Sequence, residues 1–342
     1  PFKIPGIPGG KAKGNALISA NFPAAYSYGQ SESRISPCCK KCVEAYSQAA
    51  IDLVRDDDTS IRIGPLRYIF WTREESAFSP ASMLRDPKPE KIKELMTSVF
   101  KGRDTATQID ANRFYATAFS ASGGRVVVRD WVDTRVDDAR RSLARYFVLQ
   151  NIVDEYGGEG RPLPLYALAD ATVPWRNNKP DRKQLNPNVC KVLLRLAFEQ
   201  EPLPMWLLYQ AVHRNRAEQG LTRPRAALIK MVLLSQDTKS VEEGTMEQLD
   251  QSNRDPAYLC GRLLAVLENI QRVAVGAKAT IVDRFYGTAS SAPASVFGHL
   301  LRGAQAHLGK LRKEKPGAYT ALEKRLEEVQ AGLSSFPKTL TL

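Results

Sequence analysis

The sequence is poor in the residues from which metal centres and disulfide frameworks are made. Its 342 residues include 3 histidines and 5 cysteines. His213, His299 and His307 form no ligand pair, and Cys38, Cys39, Cys42, Cys190 and Cys260 are odd in number and scattered. That usage suits a reducing cytoplasm better than a secreted disulfide frame. No stretch approaches the roughly 20 apolar residues that span a bilayer, and no signal peptide is visible, so no membrane partner is expected. The phosphate-loop pattern G-x-x-x-x-G-K-S/T and the nucleophile elbow G-x-S-x-G are both missing. There is no internal repeat and no low-complexity tract.

What the chain does have is apolar residues and positive charge. Apolar residues make up 43% of it, enough to build a core without disulfides, and the length suggests about two domains. Lysine and arginine number 49 against 37 acids, a formal charge of +12. The excess is spread over both halves rather than gathered in a tail. A folded body of this kind suits an extended phosphate polymer; a basic protein without such a partner is the plain alternative.

Periodicity divides the chain into an α+β part and a helical part. Residues 1–14 are rich in proline and glycine with three lysines, and are expected to be a mobile loop in which Lys11 and Lys13 flank a backbone able to approach phosphates. A strand is expected early in Asn15–Tyr28, a helix over Cys42–Val54, and one alternating strand over Ile61–Trp71. Residues 78–105 suggest a loop and a short helix. Phe114–Phe119 and Arg125–Trp131 form a hairpin through Ser122-Gly123-Gly124, followed by a helix from about Asp133 to Val153. The α+β module is therefore placed at 1–155. Residues 156–187, rich in Gly, Pro and Asn, are the expected linker. Residues 188–342 are expected to be a helical bundle, with helices over Val189–Glu199, Met205–Gln219, Pro224–Leu234 and Tyr319–Leu333 and an acidic loop over Ser240–Asp250.

The most informative stretch is Asn253–Leu301. Asp255 can cap a helix whose first turn holds Pro256, and Leu259, Leu263, Leu267, Ile270 and Ala274 recur on one face. Asp283-Arg284-Phe285-Tyr286-Gly287 reads as a polar-aromatic connector, after which Phe297, Leu301, Ala304, Leu308 and Leu311 give a second seam. Asp283 and Arg284 can lock that connector by an ion pair; Arg284 can equally meet DNA.

Several constellations bear on chemistry. Cys39-Lys40-Lys41-Cys42 is half of a zinc site and has no second pair, so free thiols at a helix start are the simpler reading. Asp56-Asp57-Asp58 lies between a helix and a strand, where acids serve as turn and cap residues; a two-metal nuclease needs carboxylates converging from several elements. No catalytic residue, metal or cofactor is expected. For nucleic acid, the densest one-sign run is Arg214, Arg216, Arg223, Arg225 and Lys230, with Glu218 the only acid among them. Arg302, Lys310, Arg312 and Lys313 decorate the outer side of the second seam helix.

The ordered series Asp255-Pro256-Ala257-Tyr258-Leu259, Gly261-Arg262-Leu263, Ala279-Thr280-Ile281, Asp283–Gly287 and Ala292-Pro293-Ala294-Ser295-Val296-Phe297 closely resembles the large subunit of the type I-C CRISPR Cascade. The segments at Asn15–Tyr28, Ile61–Trp71 and Arg125–Trp131 resemble the same family. The resemblance implies a non-catalytic subunit that works with a crRNA, target DNA, backbone subunits, a crRNA 5′-end subunit, small subunits and a helicase–nuclease effector. The family is longer at both ends, so the chain is expected to be a fragment lacking an N-terminal portion and the extreme C-terminus. In such proteins the segment corresponding to 246–342 can also be made separately as a small subunit, with Met246 or Met231 near the start. A stand-alone nucleic-acid-binding or scaffold protein without a guide RNA is the alternative function, and a metal-dependent nuclease a third.

Overall fold

The computed structural model describes residues 3–19, 23–26, 28–35, 38–100, 112–154, 157–177, 179–236, 246–277 and 279–340. The fold is α+β, with an antiparallel sheet in the N-terminal half and helices through the C-terminal half. The chain divides into two compact units, Pro1–Leu207 with Lys230–Glu243, and Leu208–Ile229 with Gly244–Leu342.

The first unit is built on a four-stranded meander of β1 (Ser60–Ile63), β2 (Leu66–Thr72), β3 (Arg113–Ser122) and β4 (Arg125–Arg135). The single strand expected over Ile61–Trp71 is a hairpin, because Gly64 takes φ +54° and Pro65 follows it. The β3–β4 turn uses Gly123 and Gly124, both at positive φ as a tight hairpin requires. β4 runs on to Arg135, so the next helix, α4 (Val136–Gln150), starts later than the apolar period suggested.

The two sheet faces have different fates. Tyr68, Phe70, Phe114 and Val132 are buried. On this side α4 and α6 (Pro187–Glu199) pack, with Phe198 seated against Phe114 and Phe70 at ring separations of 5.0 and 5.5 Å. On the other face α1 (Lys40–Arg55) packs over Ile69 and Phe119 with Ala50 and Val54. Beyond its cover lies an aromatic group of Trp71, Tyr115 and Trp131, and Trp131 is half exposed.

Residues 3–14, the described part of the 1–14 segment expected as a mobile loop, carry buried and hydrogen-bonded anchors. Ile4 and Asn15 exchange backbone hydrogen bonds of 2.9 and 3.0 Å, Ile4 and Ile7 are buried, and Asn15 Oδ1 accepts from the Lys11 N–H. Two buried isoleucines supply the apolar anchor that a proline- and glycine-rich composition hides. The early strand reduces to isolated bridges, Ile4 with Asn15 and Ala16 with Arg125. Short helices α2 (Pro80–Arg85) and α3 (Pro89–Phe100) fill the segment after β2; the end of the expected 78–105 element lies outside the described residues.

Residues 156–187, apart from Tyr156 and Asn178, which lie outside the described residues, are packed structure. They contain α5 (Leu165–Asp170) and the small hairpin β5 (Trp175–Arg176) and β6 (Lys179–Pro180), with Leu163, Leu165, Leu168, Val173 and Leu185 buried. Arg182 grips the buried Asp170 carboxylate at 2.7 to 3.2 Å. The helices α7 (Met205–Ala217) and α8 (Arg223–Ser235) each contribute to both units. Most of the acidic loop expected over Ser240–Asp250 lies outside the described residues.

The second unit is a bundle of α9 (Pro256–Val275), α10 (Ile281–Ala289), α11 (Pro293–Glu314) and α12 (Pro316–Ala331) with the inner parts of α7 and α8. The Asp255 carboxylate accepts from the N–H groups of Ala257 and Tyr258, with Pro256 in the first turn, and Gly276 at φ +61° ends α9. Asp283–Gly287, expected as a connector, is helical. Thr280 and Asp283 form a capping box that satisfies the free N–H groups at the start of α10. The core brings together Leu263, Leu267, Ile270, Phe297, Leu300, Leu308, Leu322 and Leu326. Phe297 is fully buried and stacks on Phe336 at 5.2 Å. Removing its ring leaves a cavity and forfeits apolar burial, so Phe297→Ala is expected to cost about 3–5 kcal/mol, read as a lower denaturant midpoint for the bundle's helical signal.

Candidate nucleic-acid interface

The basic run from Arg214 to Lys230 does not form one exposed face. Arg225 is 1% exposed and its guanidinium pairs with Glu218. Lys230 is 3% exposed and donates to the Asn151 carbonyl at 2.5 Å. Arg216 is half-buried and donates to the backbone carbonyl of Ser290 at 3.0 Å and to its hydroxyl at 3.3 Å. Arg214 and Arg223 are half-buried. The turn between α7 and α8 is docked on α10: Gln219 accepts from the Gly287 N–H at 3.0 Å and donates back to Arg216 O at 2.7 Å. A Cβ at Gly287 would meet Gln219 Nε2 at 2.8 Å, so a larger residue there would push the Gln219 amide aside. Tyr286 lies in the same cluster. Burial pushes its phenol up, while Arg216, a hydrogen bond with Asn215 and Arg225 pull it the other way.

The outer side of α11 is different. Its seam residues Val296, Phe297, Leu300, Ala304, Leu308 and Leu311 are buried, which turns Arg302, Lys310, Arg312 and Lys313 into solvent. The helix contains one acid, Glu314 in its last position, and Lys310 lies 3.8 Å from it. Both groups are exposed, so that pair contributes little. Arg312 sits over the Tyr319 ring at 5.9 Å. Gly303 and Gly309 lie between these cations and Gly298 one turn before them, and at all three an added Cβ would touch nothing. Each glycine costs about 1 kcal/mol of helix propensity relative to alanine, and packing inside the bundle does not account for them. The result is a low, positively charged helix face.

The remaining expected contacts fall on other elements. Lys11 and Lys13 are exposed on the N-terminal loop of the first unit, with the Lys11 ammonium over Gly124 of the β3–β4 turn. Arg284 is exposed on α10, away from the buried side of that helix. Lys324 and Arg325, exposed on α12, were not among the expected contacts.

Local geometry explains the cysteine and aspartate clusters. Cys39 is the N-cap of α1 and accepts from the Cys42 N–H, which holds its thiol below its usual range. The two sulfurs lie 3.3 Å apart. Asp56 accepts from the Asp58 N–H at 2.8 Å in the turn before β1, and Arg85 pairs with Asp57. Among the described residues no group of three or more His, Cys, Asp or Glu side chains is placed to hold a metal ion. No helix among them is long and apolar enough to cross a membrane.

These placements separate two kinds of arginine by experiment. Breaking a buried pair from one side leaves a stranded charge, so Arg225→Ala is expected to cost about 3–5 kcal/mol. It should lower the melting temperature clearly, whereas a surface arginine changed in the same way should leave the melt almost unmoved.

A family model described as CRISPR-associated protein (Cas_Csd1) matches residues 1–342, the whole of the chain. No curated protein matches it. The ordered motifs of α9 to α11 lie inside this match, as do the hairpin and strand segments of the first unit. The chain therefore belongs to the Cas_Csd1 family of CRISPR-associated proteins.

Proposed function

We propose that the chain is a non-catalytic large subunit of a type I-C Cascade, an RNA-guided DNA surveillance complex in the cytoplasm. The family match over the full chain carries this reading. Its partners are a crRNA, target DNA, the backbone subunits, the crRNA 5′-end subunit, small subunits and a helicase–nuclease effector that performs the cleavage. In such a complex base pairing reads the sequence, and protein holds strands by shape and charge. The exposed face of α11 gives this chain its part: Arg302, Lys310, Arg312 and Lys313 line a low surface along which the displaced single strand passes and the R-loop is held open. Arg225 and Lys230 serve the fold instead, since their charges are already satisfied inside the protein.

The first test is the RNA content of the assembled complex. A guide-bearing complex yields RNA of one uniform length when this chain is the affinity handle; a stand-alone scaffold yields none. On an intact complex, each phosphate contact on a single strand contributes about −0.7 to the slope of log affinity against log salt. Changing Arg302, Lys310, Arg312 and Lys313 together to alanine is expected to flatten that slope by up to roughly three units. Sequence preference should not change, because phosphate contacts do not read bases. An unchanged slope would remove α11 from the strand's path.

A further inference from the structure

The fold treats the cysteines in two ways. Cys190 and Cys260 are buried, and burial pushes both thiols up, that of Cys190 to about 12. Cys38, Cys39 and Cys42 are exposed at the start of α1. The way this helix begins brings two of them together. Cys39 is the N-cap, with extended backbone at φ −68° and ψ 160°, so its side chain folds over the first turn and its sulfur accepts from the Cys42 N–H. Cys42 is the third helical residue, the position from which a side chain reaches back toward the cap. The two sulfurs lie 3.3 Å apart. A disulfide needs about 2.05 Å, so closing it asks for side-chain rotation and not for movement of the helix.

The pair is also polarised. The Cys42 N–H, and then the Cys42 thiol, favour the charged form of Cys39 and hold it below the usual thiol range. The same contact, with the charge on Cys39, pushes Cys42 up. Lys40 and Lys41 separate the two cysteines, the first turn of α1 has no acid, and Glu44 lies 3.8 Å from Lys40. The thiolate is the nucleophile in disulfide exchange, and a helix N-terminus beside cations is a setting that stabilises one. Cys39 is thus poised to attack, with a protonated thiol next to it.

Where thiols are kept reduced, an exposed pair of this kind serves transient exchange rather than structure. We infer that Cys39 and Cys42 form a dithiol that exchanges with the disulfides of low-molecular-weight thiols, Cys39 attacking and Cys42 resolving. The Cys39 thiolate attacks one sulfur of RS–SR; that S–S bond breaks, a Cys39–SR bond forms, and RS⁻ leaves and takes a proton from water. Cys42 gives its proton to water and attacks Cys39 Sγ, displacing the second RS⁻, which is protonated in turn. The protein gives up two electrons with its two thiol protons, and one RS–SR becomes two RSH. Excess RSH runs the same steps backwards and restores the dithiol. None of this rests on the guide-RNA reading.

The test treats the reduced full chain with oxidised glutathione, quenches with an alkylating agent and maps the cysteines by mass spectrometry. Trypsin cuts after Lys40 and Lys41, so a Cys39–Cys42 bond appears as two linked peptides. The parent is expected to show that bond, with no glutathione kept on either cysteine. Cys42→Ser should stop at the mixed disulfide and accumulate glutathione on Cys39. Cys39→Ser keeps the cap, since a serine hydroxyl accepts the same N–H, and its Cys42 should react at least about tenfold more slowly than Cys39 does in Cys42→Ser. Cys38→Ser should behave as the parent. Alkylation of the untreated parent gives the same order without any substitution: Cys39 ahead of Cys42, and both ahead of the buried Cys190 and Cys260. A parent that stops at the mixed disulfide, a bond that recruits Cys38, or equal rates for Cys39 and Cys42 overturns the inference. So does zinc that copurifies on these thiols and blocks exchange until a chelator removes it.

Discussion

Burial of charge is the constraint on which both units depend. Taking an ion out of water costs several kcal/mol unless a partner replaces the lost hydration. In the first unit Asp130 sits inside, 2% exposed at its side chain, and Arg195 meets it at 2.5 to 3.3 Å while also holding the Trp131 carbonyl. That bond fixes α6 against β4 and so sets where Lys191 and the helix start lie. In the second unit Arg225 takes Glu218 as partner and closes the turn between α7 and α8. Lys230 ends on the Asn151 carbonyl. The abundant basic residues are thereby sorted into those that hold the fold and those that face solvent.

The solvent-facing group is positioned by the apolar seams. Leu263, Leu267 and Ile270 of α9 form one core with Phe297, Leu300 and Leu308 of α11, and this fixes the rotation of α11 about its axis. Once that rotation is fixed, Arg302, Lys310, Arg312 and Lys313 must point outward. Gly303 and Gly309 between them, and Gly298 one turn before, lower the surface at a propensity cost that internal packing does not offset. Sequence, packing and the proposed strand path are linked through a single helix.

The seams were legible from the sequence because a 3.6-residue apolar period survives whatever surrounds it. Asp255-Pro256 and Ser122-Gly123-Gly124 were legible because cap and turn chemistry is local. The α10 helix was not, since the aromatic pair Phe285-Tyr286 and Gly287 obscured a Thr280…Asp283 capping box that was its real signal. Residues 156–187 looked like linker because their prolines and glycines outweigh irregularly spaced leucines, yet those leucines are buried. The fate of Arg225 and Lys230 lay beyond local reasoning. Their partners, Glu218 and the Asn151 carbonyl, lie 7 and 79 residues away in sequence, and only the folded chain brings a carbonyl to that ammonium.

Whether this Cas_Csd1 family member holds a nucleic-acid strand on the outer face of α11 is the central question. Ultraviolet cross-linking of the complex on target DNA, followed by mass-spectrometric mapping of the linked peptides, tests it most directly. Cross-links from the displaced strand are predicted to peptides spanning Arg302–Lys313, and none to the peptide carrying the buried Arg225. Cross-links that avoid 302–313 and gather on the α7–α8 turn would contradict that placement.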